Sequence, residues 1–294
     1  MDRLPDHLKG LVLTVGGVLV LTPDSLLVRL IEADPWTMVF WRGALMALGL
    51  GGFLVLYHRR QTPARFRAMG ANGLLVAVIL AAGSVLFILA LNNTSVANTL
   101  VIVAAAPLIA AVFSHAFLGE PASPRTWGAV VVALSGIVVL ASGSARGGTL
   151  AGDLAALGTA VCMAGSLVLI RRVRSANMLP AMVLSGGLGA LVVAPWAAPF
   201  SIAPDQTWLL LILGLVVLPV SFGLLTLGPR YLPAPEVGLI LLLETVLGPL
   251  WVWLVIGEEP GQRALVGGAI VIGALVGHSL LMLRRRAPVP AESG

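Results

Sequence analysis

The sequence predicts an all-α membrane protein of ten transmembrane helices, arranged as two inverted five-helix repeats around a central cavity. Three observations lead there. Long apolar stretches recur along the whole chain, basic residues collect on alternate connections, and one half of the chain aligns with the other at a shift of five helices.

Composition sets the class. Of 294 residues, 58% are hydrophobic and only 11% are charged. A soluble domain averages roughly 25% charged residues, so this chain lacks the polar surface a globular fold needs. Crossing about 30 Å of hydrocarbon takes about 20 apolar residues. Stretches of that kind run at 10–30, 36–57, 72–91, 95–118, 126–143, 150–170, 180–198, 207–227, 235–256 and 264–283. Pro23, Pro107, Pro195, Pro219 and Pro249 fall within them, as membrane helices tolerate. The polar start "MDRLPDHLKG" and the length of the first apolar run are read as a retained span rather than a cleaved signal. Cys162 is the only cysteine, which excludes an intrachain disulfide and a cysteine-built metal site.

Charge gives the orientation. Arginine and lysine gather at Arg3 and Lys9, at 58–67, at Arg125, at "RRVR" (171–174), at Arg230 and at "RRR" (284–286). The intervening connections carry only Arg146 and Arg263 as clear basic residues. The positive-inside rule then places both termini of a multi-pass membrane protein in the cytoplasm, as an even number of spans requires. Trp36, Trp196, Trp208, Trp251 and Trp253 fall toward the outer side and Trp127 at an inner end, the pattern of an aromatic belt.

Shifting the chain by 138 residues lays "LGEPASPR" (118–125) on "IGEEPGQR" (256–263). At a slightly different shift, residues 10–29 lie on 152–171, each segment ending in arginine. The two repeats are 1–143 and 150–286, followed by a tail at 287–294. Five spans is an odd number, so the second copy enters the membrane inverted. Inverted repeats of this kind mark secondary transporters with a site near the midplane.

The segments "AAAPLIAAVFSHAFLGE" (104–120) with Arg125 and "WGAVVVALSGIVVL" (127–140), and "LLETVLGPLWVWLVIGEE" (242–259) with Arg263, resemble the drug/metabolite transporter superfamily, in particular its EamA-type bacterial members. Their shared pattern is an apolar helix with a central proline, ending in Gly-Glu. Pro107 fits it; in the second copy Thr245 stands at the proline position and Pro249 lies one turn on. The resemblance implies an exporter, and the subgroup it favours is the bacterial amino-acid exporters, including the aromatic amino-acid exporter.

Charges inside the membrane are the first functional candidates. Asp24 lies about six residues before the outer end of span one and Arg42 about six after the outer start of span two, so about 1.5 Å per residue puts them at one depth. They form a structural ion pair, or Arg42 receives a substrate carboxylate in one state. Arg29, near the outer end, snorkels to water. Glu244 lies roughly 13–14 Å into span nine, with no basic residue of a neighbouring span expected at that depth. It faces the cavity as a proton-coupling or substrate-amine site, or is a neutral carboxyl bonded to a backbone carbonyl. Ser84, Asn98, Thr99 and Ser221 line the cavity or serve as interhelical glue. Phe87 and Phe222 correspond within the repeat and are candidate aromatic walls. Arg125 and Arg263 are expected to pair with Glu120 and Glu258 across short turns, and Asp153 and Glu236 to favour helix N-termini.

The expected function is export of small metabolites, amino acids first among them, by alternating access. The partners are the substrate and the lipid bilayer; the four-residue spacing of Ala269, Gly273 and Gly277 favours close helix packing or a homodimer, and no nucleic acid is expected despite the basic balance. No cofactor, no metal and no catalytic residue is expected, because the chain shows neither a nucleophile–base pair nor an acidic cluster. Export of another metabolite or drug class, facilitated diffusion, a channel and an intramembrane enzyme are the alternatives.

Overall fold

The computed structural model describes residues 5–119, 123–144, 150–173, 179–228, 231–232 and 234–284. Every regular element among them is helical.

The first span is broken. Helix α1 (Asp6–Leu21) stops at Thr22, whose Oγ1 donates to Leu19 O at 2.9 Å, and α2 (Asp24–Leu30) restarts after Pro23. Proline has no N–H to continue the ladder. Helix α3 (Pro35–His58) opens on Asp34, which accepts from Trp36 N at 3.0 Å and Thr37 N at 3.1 Å, with proline in the first turn, a strong N-cap. A short α4 (Thr62–Ala68) leads into α5 (Gly70–Asn93). The fourth span breaks at Ala105, just before Pro107, into α6 (Val96–Ala104) and α7 (Ala106–Leu118). Helices α8 (Pro124–Ser144), α9 (Leu150–Val173) and α10 (Leu179–Val193) follow. The eighth span consists of α11 (Thr207–Ile212), a π-helical segment Leu213–Val217 and α12 (Leu218–Leu227). Its wider turn sits directly ahead of Pro219, which cannot donate to the carbonyl four residues back. Helices α13 (Ala234–Ile256) and α14 (Gln262–Arg284) close the fold.

The Gly-Glu motif has a backbone cause. Gly119 (φ 66°) ends α7 and Gly257 (φ 72°) ends α13, both in the left-handed conformation that glycine adopts without strain. The two are 138 residues apart, the shift that aligns the repeats.

Nine candidate membrane spans occur among the described residues, rather than the ten expected. The exception is α10, with 15 residues, or about 22 Å at about 1.5 Å per residue. The expected span at 180–198 ends early because the chain turns at Val193 toward Pro195. Two α3 side chains hold that turn: Thr37 Oγ1 accepts from Ala198 N at 2.8 Å, and Trp41 Nε1 donates to Pro199 O at 2.9 Å.

The strongest packing joins the halves instead of neighbours in sequence. Helix α3 packs on α10, α8 on α14 and α6 on α13, each against its counterpart one repeat away. The remaining large contacts come in related pairs: α5 on α9 matches α12 on α1, and α9 on α6 and α7 matches α13 on α1. This is the contact pattern of a two-fold relation. Two of the axial crossings are made of glycine. A Cβ on Gly186 would lie 2.6 Å from Gly43 O, and one on Gly267 would lie 2.6 Å from Gly136 O. By contrast Gly273 and Gly277, in the small-residue row expected to favour close packing, have no neighbouring atom that a Cβ would meet.

Side chains at these crossings must push the halves apart. Gly186→Val and Gly267→Val are expected to destabilise the protein by about 1–3 kcal/mol each, read as lowered unfolding temperatures in detergent. Gly187→Ala and Gly273→Ala, where a Cβ meets nothing, should leave that temperature within a degree or two.

Candidate functional site

The break at Thr22–Pro23 sets Asp24 in the first turn of α2, and the start of α3 sets Arg42 opposite it. Arg42 Nη2 donates to Asp24 Oδ2 at 2.6 Å and Nε donates to Oδ1 at 3.3 Å. Its Nη1 donates to Ser84 Oγ at 3.1 Å, and the guanidinium carbon lies 5.4 Å from the centre of the Phe87 ring. Ser84 and Phe87 are one turn apart on α5, so three helices converge on one guanidinium. The side chains of Arg42 and Asp24 are only 8% and 4% exposed. A buried charge pair is tolerable when each nitrogen has a partner and the ring face is covered, and that is the arrangement here.

Glu244 approaches from the second half. It is half-buried on α13, close enough to interact electrostatically with both Asp24 and Arg42. A basic residue therefore does stand at its depth, contrary to the sequence expectation, but Asp24 already holds it. Glu244 itself makes no hydrogen bond or ion pair with the described residues. The positions one and two turns further along α13 show what this face meets. A Cβ on Gly248 would lie 3.4 Å from Ser25 Oγ and also meet Leu100, and Trp251 Nε1 donates to Thr22 Oγ1 at 3.2 Å. The face carrying residues 244, 248 and 251 thus looks onto the broken first span.

A second polar cluster lies at the end of the bundle away from the arginine-rich connections. Asp153 Oδ1 accepts from Thr94 Oγ1 at 2.8 Å and from Asn98 Nδ2 at 3.3 Å. Arg29 donates Nη2 to Thr94 O at 2.9 Å, and its Nε lies 3.2 Å from Glu258 Oε2. Glu258 Oε1 accepts from Val96 N at 2.9 Å. Arg29 is therefore an interhelical tie rather than a snorkelling cation, and Glu258 pairs with it instead of with Arg263. Arg263 donates to Ser142 Oγ at 2.9 Å. Glu120, expected to pair with Arg125, lies outside the described residues. At the arginine-rich end, His7 Nε2 and Glu236 Oε2 are 2.8 Å apart, joining the starts of α1 and α13.

Of the eight expected cavity residues, Arg42, Ser84 and Phe87 come together, with Glu244 beside them. Asn98 belongs to the Asp153 cluster instead. Thr99 and Ser221 are fully buried and donate to carbonyls of their own helices, Ser95 O at 3.0 Å and Leu218 O at 3.1 Å. Phe222 packs against the same apolar core as Phe87. None of the eight lines the cavity of about 160 Å³ that opens among α2, α3 and α5. That cavity sits one helical turn beyond the Arg42 cluster, toward the Asp153 end. Sequence reasoning missed Thr94, whose run "NNTS" at a helix end was the available signal. Among the described residues no three His, Cys, Asp or Glu side chains converge to hold a metal.

Two mirrored helical halves with charges paired inside the membrane define a multi-pass membrane protein of two-repeat architecture. The family model for EamA-like transporters matches residues 8–142 and again 150–280. The chain belongs to the EamA-like transporter family, within the drug/metabolite transporter superfamily. No curated protein shows significant similarity to it. One solved crystal structure is similar at a TM-score of 0.63 and 19% identity, covering 96% of this chain and 99% of its own, a likeness in fold.

The ion pair carries a measurable coupling. Asp24→Ala is expected to cost about 3–5 kcal/mol, because it strands a buried guanidinium. Asp24→Ala combined with Arg42→Met should cost less than the two single changes added together. A double-mutant cycle on unfolding in detergent measures the difference.

Proposed function

We propose that this chain is a secondary transporter of the bacterial inner membrane that exports small metabolites, amino acids foremost, by alternating access. In this reading α10 and its tethered turn make the tenth span, and both termini face the cytoplasm. The bias of basic residues toward one end supports that orientation.

Glu244 carries the reading. A carboxylate inside a membrane protein without a partner is expensive, and this one is contributed by the second half against a charge pair of the first. A substrate ammonium or a proton satisfies it; a structural role would have given it a donor. Each nitrogen of Arg42 already has a partner, so it acts as a fixed positive charge that orients a substrate carboxylate while Asp24 stays bound. Phe87 and Phe222 belong to one packed apolar core, and an apolar or aromatic side chain would pack against them once the halves part. Rocking of the halves about their glycine crossings would expose the site to each side in turn.

Proteoliposomes loaded with radiolabelled amino acids test the reading under several imposed pH gradients. Wild-type protein is expected to move at least one apolar amino acid at a rate that follows the gradient, and Glu244→Gln to lose that dependence. Absence of movement across the amino-acid panel overturns the substrate class. Unchanged gradient dependence in Glu244→Gln removes the carboxylate from coupling.

A further inference from the structure

We infer that the cavity among α2, α3 and α5 is a second, exofacial binding site for a zwitterionic amino acid with an apolar side chain. The inference rests on the proposed substrate class and concerns a place distinct from Glu244.

Size comes first. The pocket is open on one side and measures about 160 Å³, close to the ~150 Å³ that holds a benzene-sized molecule. A single small metabolite fits within it.

The lining chemistry selects further. Arg29 and Glu32 both face the cavity, yet they form no ion pair with each other; Arg29 is tied to Glu258 instead. With Nε beside Glu258 and Nη2 on Thr94 O, the guanidinium keeps Nη1 without a partner among the described residues. The Glu32 carboxylate also has none. Two separated opposite charges in one pocket complement a carboxylate and an ammonium on the same small molecule. An inorganic anion would pair with Arg29 but be repelled by Glu32, and a metal ion would find a single carboxylate beside a cation. Asn92 adds an exposed amide at the rim.

The floor is apolar. Met38, Ile88 and Leu91 line it and are each at most 2% exposed. Met38 lies four residues before Arg42, Ile88 four after Ser84, and Leu91 four after Phe87. The cavity is therefore stacked one turn outside the buried cluster and separated from it by this single layer, against which a hydrocarbon side chain would pack.

The wall is also pre-formed. Glu32 N donates to Gln206 Oε1 at 3.0 Å, Ala33 N donates to Ile31 O at 2.8 Å, and Asp34 caps α3. The connection that presents Glu32 is thus fixed before any ligand arrives, which lowers the ordering cost of binding. Its end of the bundle lies away from the arginine-rich connections, hence outside.

The test uses a single reporter cysteine. Full-length protein carrying Cys162→Ser and Ala33→Cys is placed in right-side-out vesicles and treated with a membrane-impermeant maleimide. Millimolar leucine or phenylalanine is expected to slow labelling at least threefold. Leucinamide, which lacks the carboxylate, and N-acetyl-leucine, which lacks the ammonium, should not. Adding Glu32→Gln should abolish the protection while labelling continues. Pro35→Cys serves as a second reporter. Amino-acid transport is measured on the same vesicles. Transport without protection at either reporter overturns the exofacial site and leaves the proposed function standing. Protection without transport supports the site and sinks the export reading. Equal protection by the singly charged analogues overturns recognition of a zwitterion.

Discussion

The fold turns on one requirement: a guanidinium inside hydrocarbon must have its nitrogens partnered and its face covered. Arg42 meets it with Asp24 from α2, Ser84 and Phe87 from α5, and its own position on α3. Removing one partner leaves a stranded charge costing several kcal/mol, so spans one to three cannot drift independently. Asp24 stands directly after the proline break in the first span, in the opening turn of α2.

Against that rigid group the two halves meet through contacts of a different kind. The axial crossings at Gly43 with Gly186 and Gly136 with Gly267 bring backbone against backbone. Small residues allow such approach, and in lipid it is van der Waals packing rather than hydrophobic burial that holds helices together. These crossings require no side chain to change partner when helices rotate slightly. A pivot of bare backbone and a charge cluster confined to one half are compatible with movement of one half against the other.

Much of this was legible in the sequence because bilayer constraints are coarse. Apolar length and the Gly-Glu ends each follow from a single physical rule, and Gly119 and Gly257 adopt the backbone conformation the motif implies. The Asp24–Arg42 juxtaposition followed from equal depth in adjacent antiparallel spans. What failed were statements about rotation about a helix axis. Depth alone places Asn98, Thr99 and Ser221 as candidate cavity residues, yet Asn98 turns toward Asp153 while the other two bond to their own helices. Nor does depth reveal which cross-repeat helices touch. Arg42 was therefore overlooked as a neighbour of Glu244, and Arg29 was assigned to water instead of to Glu258. The short α10 was overestimated because the turn after Val193 is as apolar as a helix and is shaped by Thr37 and Trp41 from far away in sequence.

The strengths of these ties say which of them yields. Span one and span nine are joined at one end by His7 with Glu236 and at the other by Arg29 with Glu258. In each pair at least one side chain is a quarter or more exposed, and pairs of that kind are worth about 0–1 kcal/mol. Trp251 to Thr22 adds a neutral hydrogen bond of similar worth. The Asp24–Arg42 pair, buried and hydrogen-bonded, resists rupture several times more strongly. Opening either end of the interface therefore breaks a surface tie and spares the core pair. Glu244 is unattached on the same helix as two of those ties, so in the proposed alternating-access cycle any movement of span nine would carry it relative to the charge cluster. A ligand held between them would then feel that change directly, which is the geometric condition the proposal needs.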